Sequence, residues 1–206
     1  MPAGRKAHDD TSDGGAGAVL NLPMVGLATM GFSAMSRADG SLALVVGGAR
    51  SGKSSHAEAL IAAHPAPWAY IATAQAFDDE MVERIAHHRA RRSADWRTVD
   101  VPFDLAQTLE AMPEGAPVLV DCLTLWLSNI MLAERDVEQE TRRLVAVLAA
   151  PRGPWVAVAN EVGLGIVPEN ALARRFRDEA GRLNQMVAAV AVSVSFTVAG
   201  LPMTVK

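Results

Sequence analysis

Apolar residues recur along the chain in two rhythms, one of strand length and one of helical spacing. Leu42 to Val46 is a continuous apolar run stopped by two glycines, so it reads as a buried strand. Lys53 to Ala63 then takes up a helical pattern, and Trp68 to Thr73 returns to a strand. Asp78 to Arg92 is a helix candidate with acidic residues in its first turn and arginines in its last, the order that suits the helix dipole. Val118 to Val120, ending in Asp121, is another buried strand, and a long helical region follows to about Ala150. Trp155 to Ala159 reads as a strand and Ala171 to about Ala189 as a helix; Val190 to Val198 and Met203 to Val205 read as closing strands. Such alternation predicts an α/β domain built on a mostly parallel sheet flanked by helices.

The first forty residues stand apart. Met1 to Gly17 is rich in Gly, Asp and Ala with little to bury, which predicts disorder. Ala18 to Met35 is more apolar, but Pro23 interrupts it, and Asp9, Asp10 and Asp13 spoil the basic start that an export signal needs. Residues 1–40 are therefore expected to be an unstructured extension, and 41–206 the working domain, with no membrane span. A chain of 206 residues, half of them apolar, has material for one substantial core. Its net charge of -4 gives no footprint for a nucleic-acid backbone. The single cysteine, Cys122, excludes an intramolecular disulfide framework and fits a reducing, cytoplasmic setting.

The chemistry starts at Gly47-x-x-x-x-Gly52-Lys53-Ser54. This is Walker A spacing, placed between a predicted strand and a predicted helix, which is the context the motif requires. Across Gly47, Gly48, Ala49, Arg50, Ser51 and Gly52 the backbone can wrap a phosphate so that several N–H groups point at it; Lys53 adds a compact positive charge, and Ser54 can hold Mg²⁺. Asp121, at the end of an apolar run, stands where a Walker B carboxylate would orient the metal or its water shell. A nucleoside triphosphate with magnesium is the expected ligand.

The segment from Tyr70 to Arg92 carries two adjacent histidines. Neighbours on a helix point about 100° apart, so one can face the body while the other faces water. His87 lies between Glu83 and Arg91 at four residues either side, a solvated arrangement; His88 shares a stripe with Met81 and Ile85 and is bracketed by Arg84 and Arg92. Guanidiniums there would hold phosphates and keep the imidazole neutral, able to attack phosphorus. The pattern alone favours an ordinary surface histidine in a basic helix end.

Gly47 to Ser54, Tyr70-Ile-Ala-Thr-Ala, Asp78-Asp-Glu-Met with its His-His-Arg, Trp96-Arg-Thr98 and Asn160-Glu-Val-Gly-Leu-Gly-Ile-Val-Pro-Glu-Asn170 occur in that order. Together they resemble the bifunctional adenosylcobinamide kinase / adenosylcobinamide-phosphate guanylyltransferase of cobalamin biosynthesis, from about Leu42 to the C-terminus. The resemblance implies a P-loop NTPase fold related to the RecA core, assembled as a homo-oligomer, a trimer. It implies two reactions: phosphorylation of the adenosylcobinamide hydroxyl by ATP or GTP, then transfer of GMP from GTP to the new phosphate through a guanylylated histidine.

By the same resemblance, His88, directly before a basic residue, would be the nucleophile, with His87 as the fallback. Gly47 to Ser54 would bind the phosphates, and Ala72, Thr73 and Ala74 would line the guanosine site. Arg89, Ala90, Arg91, Arg92, Asp100 and Asp121 would contact nucleotide, although relatives often carry glutamate at the two acidic positions. The Asn160 to Asn170 loop would hold either the corrinoid or a subunit interface, whereas Trp126 and Leu127 read as core. Two other classes fit the P-loop alone: a simple small-molecule kinase using Lys53, Ser54 and Asp121, and a nucleotide-dependent assembly subunit that transfers nothing.

Overall fold

Along the strands, successive apolar residues alternate between two cores, as the pleat demands. A computed structural model of the chain describes residues 40–75 and 92–206, and all that follows concerns these. They lie within one compact unit, Ser36–Lys206. In β1 (Ser41–Gly47), Leu42, Leu44 and Val46 enter one core and Val45 the other. The same division holds in β2 (Trp68–Ala72), where Ile71 and Tyr70 face opposite ways, and in β4 (Val118–Asp121), where Leu119 opposes Val118 and Val120. In β5 (Pro154–Asn160), Trp155, Ala157 and Ala159 oppose Val156 and Val158. Strands buried on both faces belong to a sheet covered on both sides, which is why they read as continuous apolar runs.

One core is closed by α1 (Lys53–Ala62) through Ala57 and Ile61. The other is closed by α2 (Leu105–Glu110), α3 (Leu123–Leu132), α4 (Val137–Leu148) and α5 (Ala171–Val190). On α3 the buried Leu123, Trp126, Leu127 and Ile130 repeat at helical spacing. Trp126 is 1% exposed, and its indole N–H donates to the Phe103 carbonyl at 2.7 Å. Trp126→Ala should cost about 3–5 kcal/mol of unfolding free energy, read from denaturant midpoints, because it leaves both a cavity and an unpaired carbonyl.

With β3 (Trp96–Asp100), β6 (Ser193–Val198) and β7 (Leu201–Thr204), the sheet runs β3-β2-β4-β5-β1-β6-β7. Only β7 is antiparallel, so the fold is the expected mostly parallel α/β P-loop domain. The parallel strands deliver Asp100, Ala72, Asp121, Asn160 and Gly47 to one edge of the sheet, where ligands of such folds collect.

Local structure departs from the sequence reading in four places. The long helical region after Asp121 is two helices, parted where Glu134 takes a left-handed φ of 53°. Asp136 caps the second by accepting from the Gln139 amide at 3.0 Å. Helix α5 continues to Val190, so the strand expected from that residue starts at Ser193. The last strand spans Leu201–Thr204 rather than Met203 to Val205, and β3 and α2 have no counterpart in the sequence pattern.

Candidate active site

Gly52 and Arg50 sit at left-handed φ values of 93° and 55°, which bend the chain between β1 and α1 into a loop. Gly52 caps α1 without a side-chain hydrogen bond, so the helix presents its first backbone N–H groups as an anion site. The Lys53 ammonium folds over the loop and donates to the Gly48 carbonyl at 3.0 Å. From behind, the β6–β7 turn braces the loop, with the Gly200 amide donating to the Ser51 carbonyl at 2.8 Å. A Cβ at Gly52 would stand 3.0 Å from the Gly200 Cα, and one at Gly47 only 2.7 Å from the Thr197 carbonyl oxygen. Gly52→Ala combines left-handed strain of about 1–2 kcal/mol with that contact. It should weaken nucleotide binding about tenfold in a calorimetric titration.

Beneath the loop are polar oxygens without partners. The side-chain oxygens Ser51 Oγ, Thr197 Oγ1 and Asn160 Oδ1 are buried and unpartnered. Asn160 and Thr197 flank Gly47 in register on the two neighbouring strands. Buried oxygens in that state call for water, a ligand's polar group or a cation.

Asp121 ends β4 half-buried, and the Tyr70 hydroxyl donates to its Oδ2 at 2.7 Å. Burial first, and the Asp121 charge second, push the Tyr70 pKa far up, so the phenol stays protonated and remains a donor. The Arg92 guanidinium stacks 3.1 Å from the centre of the Tyr70 ring and donates to Thr98 Oγ1 at 3.0 Å. Its buried Nε has no partner.

The residue after Asp121 is clamped. The Thr73 hydroxyl accepts from the Cys122 amide at 2.9 Å and donates to the Cys122 carbonyl at 2.7 Å. The Asn129 side chain donates to the carbonyls of Thr73 at 2.8 Å and Pro102 at 2.9 Å. Burial and the neighbouring Asp121 push the Cys122 thiol up to about 12, which leaves it protonated and inert as a nucleophile.

The structure thus gathers Gly47, Gly48, Ala49, Arg50, Ser51, Gly52, Lys53 and Ser54 at the junction of β1 and α1, at the sheet edge that also bears Ala72, Asp100 and Asp121. Ala72 pairs in register with both Asp100 and Asp121. Thr73 is fully buried with its hydroxyl committed to Cys122, and Ala74 follows it off the strand. His87, His88, Arg89, Ala90 and Arg91 lie outside the described residues. Beyond the sequence reading the site contains Tyr70 as partner of Asp121; that it is the chain's one tyrosine was the only signal. The loop after Asn160 exposes Leu164, Val167 and Ile166, the last at 97%.

Comparison with known proteins matches residues 43–205 to the family model described as cobinamide kinase / cobinamide phosphate guanyltransferase. The "bifunctional adenosylcobalamin biosynthesis protein CobP" of Pseudomonas aeruginosa is 51% identical, over 79% of this chain and 96% of its own. The proteins named "bifunctional adenosylcobalamin biosynthesis protein CobU" from Salmonella typhimurium and Escherichia coli are 44% and 42% identical, each over 79% of this chain and 98% of theirs.

Proposed function

The chain belongs to the cobinamide kinase / cobinamide phosphate guanyltransferase family, and on that premise we propose how residues 41–206 divide its two reactions. It is a bifunctional enzyme of adenosylcobalamin biosynthesis, a cobinamide kinase and cobinamide-phosphate guanylyltransferase. The observation that carries the division is the P-loop, with Lys53 folded over it, beside the strand end that holds Asp121.

In the kinase step ATP or GTP lies with its phosphates along Gly47 to Ser54. The helix amides and Lys53 take up negative charge as the γ-phosphoryl passes to the substrate hydroxyl, and little else is asked of the protein than position and charge. Ser54, Asp121 and Asn160 supply only hard oxygen donors, and Asn160 Oδ1 is a buried acceptor without a donor, so the set fits Mg²⁺ and its waters. When bound, the ion would neutralise phosphate charge. The Tyr70 hydroxyl donates to Asp121 Oδ2, so the carboxylate that would help hold the ion is already oriented.

In the transferase step a nucleophile attacks the α-phosphorus of GTP. The bond to pyrophosphate breaks, a phosphoramidate to His88 forms, and the cobinamide phosphate then takes the GMP and frees the histidine. Ala72, Thr73 and Ala74 hold the guanosine end. Thr73 acts there through its grip on Cys122, while Arg89 to Arg92 and Asp100 hold nucleotide. The enzyme works in the cytoplasm as a homo-oligomer, a trimer. In support of assembly, Leu201 and Met203 on the edge strand are largely exposed apolar side chains.

The test is incubation with GTP labelled at the α-phosphorus, followed by denaturation. Label should stay on the protein, survive base and leave with acid or hydroxylamine. A simple kinase, or a subunit that only binds nucleotide, would hold none.

A further inference from the structure

We propose that Tyr70 is a positioning residue for both half-reactions, its hydroxyl fixing the Asp121 carboxylate and its ring fixing Arg92. The inference rests on the functional reading above, in which Asp121 and Arg92 serve the nucleotide.

Strand register brings the three together. Asp121 pairs with Ala72, two residues beyond Tyr70 on β2, so Tyr70 and Asp121 are diagonal neighbours on one face, within reach of a long aromatic side chain. Thr98 pairs with Tyr70 across β2 and β3, and Arg92 lies on that pair, stacked on the ring and bonded to the threonine hydroxyl. Trp96 meets the Tyr70 ring edge-on at 5.9 Å and 78°, which limits how the ring can turn.

A residue wanted only for packing could be phenylalanine. Tyr70 is 4% exposed, and a buried hydroxyl must find a partner; it finds the strand-end carboxylate rather than a nearby backbone carbonyl. The bond to an ionised oxygen is of the strong, orienting kind. Stacked on the ring, Arg92 keeps its Nε buried and unbonded, a donor held in place for a phosphate oxygen. Carboxylate and guanidinium are thereby set at a fixed separation by one ring.

Two substitutions in the full chain separate the halves. Tyr70→Phe keeps the ring and removes the hydroxyl; Tyr70→Leu removes both. Mn²⁺ binding, followed by electron paramagnetic resonance with a non-hydrolysable GTP analogue present, should weaken about 10- to 100-fold in Tyr70→Phe. Covalent labelling by α-labelled GTP should persist in Tyr70→Phe and slow about tenfold or more in Tyr70→Leu. Thermal unfolding checks that each variant folds. Should Tyr70→Leu not fold, Arg92→Lys keeps the charge but not the planar stack, and should slow labelling about tenfold or more.

A Tyr70→Phe Mn²⁺ isotherm that overlays the wild type overturns the hydroxyl half, and wild-type labelling rates in Tyr70→Leu or Arg92→Lys overturn the ring half. A wild-type enzyme that takes no label overturns the histidine reading instead, and the Mn²⁺ arm still decides the role of the hydroxyl.

Discussion

Lys53→Ala should lower kcat/KM for cobinamide phosphorylation by about 10²- to 10³-fold, a loss of about 3–4 kcal/mol of transition-state stabilisation. The ammonium donates to the carbonyl of Gly48 at 3.0 Å, within the same loop, so the loop already holds it over the proposed phosphate site. No reorganisation is needed when charge develops, and that makes a fixed cation worth more here than one recruited from solvent. The substitution leaves the hydrophobic core untouched, so the melting temperature should move little while activity collapses. Guanylyl transfer should fall too if, as proposed, the grip on the β- and γ-phosphates aims the α-phosphorus. Lys53→Arg should not restore the rate: a planar fork cannot replace a compact charge in a tight loop. A coupled ADP-release assay and a pyrophosphate-release assay on the same preparation check both halves. Equal kcat/KM in Lys53→Ala and wild type would remove the P-loop from the mechanism.

How far the sequence foretold this site depended on the range over which each signal acts. The P-loop was legible because its geometry is local: Gly52 at φ 93° is a requirement that one residue type meets best. Strands β1, β4 and β5 were legible because burial on both faces makes them continuous apolar runs. Strand β3 was not, since Trp-Arg-Thr-Val-Asp at the sheet edge is mostly exposed and shows no apolar alternation. The break after α3 falls at Glu134, where neither glycine nor proline marks the turn; the Asp136-x-x-Gln139 cap was the readable clue. Tyr70 and Asp121 are 51 positions apart, so their hydrogen bond follows from strand order and register, which periodicity does not encode. Thr73 shows the same limit: its clamp on Cys122, 49 positions away, follows from the placing of β2 beside β4 and carries no local signal.

His88→Ala should abolish covalent guanylylation and reduce GMP transfer by at least about 10⁴-fold, as removal of a nucleophile does when no second group can take its place. Phosphorylation of the hydroxyl should change by less than about threefold, because in the proposed division that step rests on the P-loop, Lys53 and Asp121 and attacks a different phosphorus atom. The contrast matters more than the loss. A histidine that only supported the fold would depress both activities together, whereas a nucleophile used in one step splits them. His87→Ala is the internal control: on the helical spacing expected from the sequence, neighbours diverge by about 100°, so the two imidazoles are not expected to present the same approach to one phosphate. Its label should reach the wild-type level, measured after gel filtration in denaturant. Label absent from His87→Ala and present in His88→Ala would reassign the nucleophile and reverse which face of that segment meets the nucleotide. Label in both single variants but not in the double variant would mean that either ring can reach the α-phosphorus, and would require a segment less regular than a helix.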